Sequence, residues 1–287
     1  MNQENKVLAC VDQSHFADFV ADYAAWAAQR MDAPLEFLHV IDRHPEIGSG
    51  KDHSGAIGID TQETLLQQLT EEEKVRTKAE RERGRVFLNR LRERALAAGA
   101  ESVDVRQRHG ELVSTLVEQE RDARLIVLGR RGASAESSGR DIGRHVERVV
   151  RSLHKPILTV TDAFKPPQRV LIAFDGSGVT RRAVDLVASS PLFSGLEVHV
   201  LMSGKTRADA DKKLQEARTT LESRGMDVVA SYVPGDAETI IAQTVRDRAV
   251  DLLIMGAYSH SPLRTFMFGS KTTDLLRSST VPSLLLR

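Results

Sequence analysis

The chain has 287 residues, 41% hydrophobic and 28% charged, a balance that suits a globular fold with room for two domains. Forty basic against forty acidic side chains leave no formal net charge, which argues against nucleic acid or an anionic membrane surface as partner. No stretch approaches the ~20 apolar residues of a membrane helix, no basic segment precedes a long apolar run at the start, and the single cysteine, Cys10, cannot form an internal disulfide. The expected compartment is the cytoplasm.

In chain order, VLACVD (7–12) predicts a first strand, in which Cys10 reads as a small buried hydrophobe. LEFLHVID (35–42) predicts a second, and IGSGKDHSG (47–55) then stands where a phosphate loop would sit. The match fails, because Pro45 occupies the first glycine position, Asp52 follows Lys51 where a hydroxyl belongs, and no helix opens beyond it. The segment reads as a solvated loop in an insertion over 42–60. A long helix is predicted from near Asp60, with a capping-box spacing to Glu63, to Ala98. Its charge run EEEKVRTKAERERGR reads as a solvated amphipathic face, with a partner-binding arm as the sharper alternative.

The first half then repeats in the second. VLACVDQS (7–14) answers VLIAFDGS (170–177), DARLIVLGRRG (122–132) answers AVDLLIMGAYS (249–259), and GRHVERVVRSLHKPILTV (143–160) answers GSKTTDLLRSSTVPSLLLR (269–287). TDAFKPPQ (161–168) reads as a linker with few contacts. Strands are predicted near 169–174, 196–202, 227–233, 251–256 and 283–287, and helices near 178–189, 206–224, 236–248 and 270–279. The fold class is α/β: two tandem Rossmann-like domains over 1–162 and 168–287, each a five-stranded parallel sheet flanked by helices.

Ligands of such sheets bind beyond the carboxyl ends of the strands, where strand order reverses. There the second half places Asp175, Gly256, Ser259 and, nine residues further, Gly269-Ser270. The last pair opens a predicted helix, whose free amides suit a phosphate. The chain resembles a tandem universal stress protein, whose ATP-binding signature is G-x-x-G, nine residues, then G-[ST], with an Asp ending the first strand. The resemblance implies an adenine-nucleotide α-hydrolase-like fold and a site in which Asp175 and Met202 meet the adenine. Gly256, Ser259, Gly269 and Ser270 then hold ribose and phosphates. In the first half the corresponding residues are Asp12, Val40, Gly129, Gly132, Gly143 and Arg144. Ten residues separate Gly132 from Gly143 and Arg144 replaces the hydroxyl residue, although Arg130, Arg131, Arg140 and Arg144 could grip phosphate instead.

The plainer readings are that Asp12 and Asp175 cap the helices that follow, that the glycines are turns, and that Phe266, Met267 and Phe268 form a lid or dimer contact. The nine histidines show no metal-ligand spacing. The cofactor implied is ATP, with AMP or ADP as variants and Mg2+ arriving only with the nucleotide. No general base stands over a γ-phosphate, so the reading is a binding module, not an enzyme. A scaffold with degenerate pockets is the alternative. The resemblance also implies that strands 157–160 and 283–287 pair edge to edge, an intrachain pseudo-dimer that leaves a homodimer open.

Overall fold

A computed structural model of the chain describes residues 5–41, 59–130, 144–204, 208–257 and 279–287, with the side chains of 59–74, 76, 144 and 145 outside the description. The first half runs β1 (Lys6–Cys10), α1 (Phe16–Met31), β2 (Leu35–Ile41), α2 (Ile59–Ala97), β3 (Val103–His109), α3 (Leu112–Gln119), β4 (Ala123–Gly129), α4 (Arg144–Ser152) and β5 (Ile157–Val160). The second repeats it as β6 (Arg169–Ala173), α5 (Gly178–Ser189), β7 (Glu197–Gly204), α6 (Ala210–Glu222), β8 (Val228–Pro234), α7 (Ala237–Asp247), β9 (Leu252–Gly256) and β10 (Ser283–Leu286). The helix predicted near 270–279 and the GSGK loop lie outside the described residues.

Val7, Leu8 and Ala9, like Val170, Leu171 and Ile172, are fully buried on consecutive positions. Side chains that alternate between faces can all be buried only if helices cover both. Two cores result. One, around Phe37, Leu91, Val170 and Phe193, lies beneath α1, α2, α5 and α6; the other, around Leu38, Ile126, Leu153 and Leu253, lies beneath α3, α4 and α7.

Within each half the strands are parallel, but the halves do not keep separate sheets. The order is β3-β2-β1-β4-β5-β10-β9-β6-β7-β8, one sheet of ten strands. Its single antiparallel junction pairs Leu158 with Leu284, the edge-to-edge pairing that the resemblance implied. Joining the two edges leaves no unpaired ladder in the middle of the molecule.

The linker departs from expectation, because it is firmly anchored. Phe164 packs edge-on to Tyr23 with ring centroids 4.8 Å apart, and the Lys165 amide donates to the Tyr23 hydroxyl at 3.4 Å. Lys165 Nζ reaches Asp251 at 2.5 Å, and the amides of Gln168 and Arg169 donate to the same carboxylate at 3.1 Å. Proline and polar composition marks where the chain leaves a domain; it does not say what the segment then lands on.

Candidate functional site

Strand order reverses between β1 and β4 and again between β6 and β9, so each half opens a crevice at those carboxyl ends. In the second half the chain leaves β6 through Phe174, whose amide donates to the Leu201 carbonyl at 2.8 Å, and Asp175 follows. Its Oδ1 accepts from the Ser177 amide and from the Thr180 hydroxyl, both at 2.9 Å. The helix cap itself is Ser177, whose side chain accepts from the Thr180 amide. The plain capping reading of Asp175 is therefore corrected: the carboxylate stands two residues before the cap, bent over its own turn at the mouth of the crevice. Between them Gly176 has φ of +73°, a left-handed conformation that disfavours a Cβ.

The opposite wall is Gly256, the last residue of β9. A Cβ there would come 3.1 Å from Val179 Cγ1. A side chain there would press on Val179, because the first turn of α5 lies close on the strand end. Lys213 Nζ, on α6, pairs with Asp209 at 2.6 Å. Its stem lies across Gly176, where a Cβ would meet Lys213 Cδ at 2.5 Å. On the far rim the Gly204 carbonyl accepts from the Tyr232 hydroxyl and the Gly235 amide, each at 3.2 Å.

The first-half crevice is built alike, with different side chains around its Asp. The Ser14 amide donates to Asp12 Oδ1 at 3.1 Å, yet Ala17 stands where the second half has Thr180. The residue at the head of α1 is His15, without a side-chain cap bond, so the capping reading of Asp12 is corrected as well. Cys10 lies against the second core, and its thiol is pushed up to about 12, first by burial and then by the Asp12 charge. It stays protonated at neutral pH.

Register separates two residues expected to be counterparts. Leu38 pairs with Cys10 and Leu201 with Ala173, so Met202 corresponds to His39, and Val40 to Ser203. Adjacent strand residues face opposite ways, and the side chains divide accordingly: Met202 is in the first core, whereas Val40 packs against the second. His39 Nδ1 lies 2.9 Å from the Val11 carbonyl; since a carbonyl only accepts, that nitrogen carries the proton. Its ring meets Phe87 edge-on at 5.5 Å.

Gly129 ends β4 as Gly256 ends β9. Arg130, read as a phosphate ligand, turns two donors elsewhere, to the carbonyls of Ser279 and, at 2.8 Å, Val281. Arg144 opens α4. Gly132, Gly143, Ser259, Gly269, Ser270, Arg131, Arg140 and the Phe266–Phe268 segment lie outside the described residues. Sequence reasoning missed Thr180 and Val179. A hydroxyl five residues after Asp175, one turn into the helix, was the available signal for the first; for the second there was none, because the approach of helix to strand end is a tertiary fact. Among the described residues no group of three or more His, Cys, Asp or Glu side chains could hold a metal ion, and no helix is long and apolar enough to cross a membrane.

The chain is similar to several known proteins. Universal stress protein Slr1230 of Synechocystis sp. is 34% identical over 284 residues, 98% of this chain and 99% of its own length. The crystal structure of a universal stress protein from Archaeoglobus fulgidus superposes with a TM-score of 0.71 at 18% identity, covering 100% of this chain and 97% of that one. A shorter Arabidopsis thaliana protein of the universal stress protein family, solved with AMP bound, matches 42% of this chain and 91% of its own at 16% identity, with a TM-score of 0.35. The model of the universal stress protein family matches twice, over residues 4–161 and 167–287, and the chain belongs to that family.

Proposed function

We propose that the chain binds ATP or a related adenine nucleotide, chiefly in the second half, and serves the stress response as a nucleotide-responsive regulatory module. The observation that carries this reading is the crevice between β6 and β9. Asp175 is held there as an acceptor by two donors, and Gly256 removes the side chain from the facing strand end. A carboxylate oriented in advance suits an exocyclic amine of a base, because its side-chain order is already in place. The signature loop that continues from Gly256 supplies the phosphate seat, with Ser259, Gly269 and Ser270 as its residues and magnesium carried in by the nucleotide. The first half is the weaker seat, because ten residues rather than nine precede Gly143 and Arg144 replaces the hydroxyl residue. The module binds its ligand, and any hydrolysis is slow and incidental.

Isothermal titration of the full chain with ATP, AMP and cyclic AMP, alongside Gly269→Asp and Gly143→Asp, tests this. Each substitution sets a carboxylate at one proposed phosphate seat, and only Gly269→Asp should abolish the binding heat. Loss with Gly143→Asp alone reverses the ranking of the halves. The absence of heat with any nucleotide favours a scaffold instead, a second reading supported by α2. That helix has 39 residues, about 58 Å at 1.5 Å per residue. Its buried described side chains begin only at Leu88, and Val75 and Val86 are left exposed.

A further inference from the structure

We infer that arginines reaching across the β5–β10 junction couple the helices behind the two crevices, so that a ligand held in one half alters the other. This rests on the nucleotide reading for the identity of the ligand. α4 begins just after the first-half signature loop, and its last turn is held from the opposite half, where Arg287 donates to the Arg151 carbonyl. The final carbonyls of a helix lack intrahelical partners and carry partial negative charge; a guanidinium answers both needs. Arg287 is itself fixed, since its own backbone carbonyl accepts from Arg182 Nη2 at 2.7 Å. Arg182 lies on α5, two residues beyond Thr180, whose hydroxyl holds the Asp175 carboxylate.

A relay therefore runs from Asp175 through the first turn of α5 to Arg182, then Arg287, then the end of α4. Every link is a hydrogen bond or a stretch of helix. In the other direction Arg130, leaving β4, holds the Ser279 and Val281 carbonyls just before β10. Each half thus grips backbone carbonyls of the other near its last strand, and the grip starts beside its own crevice. A ligand that repositions the Asp175 turn shifts α5, and α5 cannot shift without changing what Arg287 offers to α4. Linkage makes the effect reciprocal, so ligand at the α4 end returns the same change in affinity.

Adjacency alone does not establish coupling; a remote substitution does. The test is amide hydrogen exchange at residues 146–153 of the full chain, in wild type, Arg182→Ala and Arg181→Ala, with and without ATP. Among the described residues Arg182 bonds to Arg287 and not to α4. Its removal should nonetheless speed exchange in α4 by roughly three- to tenfold, while loss of its exposed neighbour Arg181 leaves exchange as in wild type. ATP should change α4 exchange in wild type and lose that effect in Arg182→Ala. Equal exchange in the three ligand-free proteins overturns the relay, as does an ATP effect that is missing from wild type although ATP binds, or one that survives in Arg182→Ala. Calorimetry on the same samples separates the two ideas: if ATP gives no heat, the nucleotide reading falls, and the ligand-free comparison still decides the relay.

Discussion

Asp251 is buried, and burial pushes its carboxyl up; Lys165 and the amides of Gln168 and Arg169 outweigh that and hold it below the ordinary carboxylate range. Lys165 is largely exposed, so water screens its share and the two backbone bonds carry more of the effect. A carboxyl whose folded pKa lies below its unfolded value of about 3.9 stabilises the fold above that value and loses its contribution as pH falls through the folded one. Asp251→Asn is therefore expected to cost about 2 kcal/mol at neutral pH, with the gap to wild type narrowing below about pH 4. Urea unfolding across pH checks it, and a gap that ignores pH rules out the charge as its source. At this scale the legible residues were those next to a strand end, such as Asp12, Asp175 and Gly256. The partners of Arg130 lie about 150 positions along the chain, which no local pattern reports.

Gly84 shows what an element owes to its neighbour. Glycine inside a helix costs about 1 kcal/mol relative to alanine, yet here α2 crosses β3, and a Cβ would come 2.5 Å from Gln107 Nε2. Among the described residues that amide nitrogen is buried without a partner. Gly84→Ala should be nearly neutral, since the helix gain is offset by displacing the Gln107 amide. In a Gln107→Ala background the same change should stabilise by up to about 1 kcal/mol. Thermal unfolding of the four proteins closes the cycle, and identical effects of Gly84→Ala in both backgrounds would show that Gln107 is not what the glycine accommodates. The extent of α2 was legible from its capping box and charge pattern. Where it begins to pack was not, because Val75 and Val86 stand exposed while Leu88 is buried, and the local pattern does not tell them apart.

For the molecule as a whole, the shared sheet and the anchored linker predict one cooperative unit. Calorimetry of the full chain should give a single transition whose van't Hoff and calorimetric enthalpies agree; two resolved transitions would mean that the β5–β10 junction is weak. Residues 168–287 produced alone should self-associate through the bared β10 edge, visible in sedimentation, since an open apolar edge recruits a strand. The repeat, the βαβ alternation and the crevice-mouth residues were determined by sequence alone. Apolar runs, glycines and caps act locally, and a duplicated pattern is readable without knowing what it packs against. Tertiary structure decided that the linker docks on Tyr23 and Asp251, that His39 rather than Val40 matches Met202, and that arginines cross between the halves; the fusion of the two sheets was implied by the family resemblance and realised at β5–β10. Each of these depends on register or on partners distant along the chain, where the free energy comes from packing and paired buried groups, not from any stretch of sequence taken by itself.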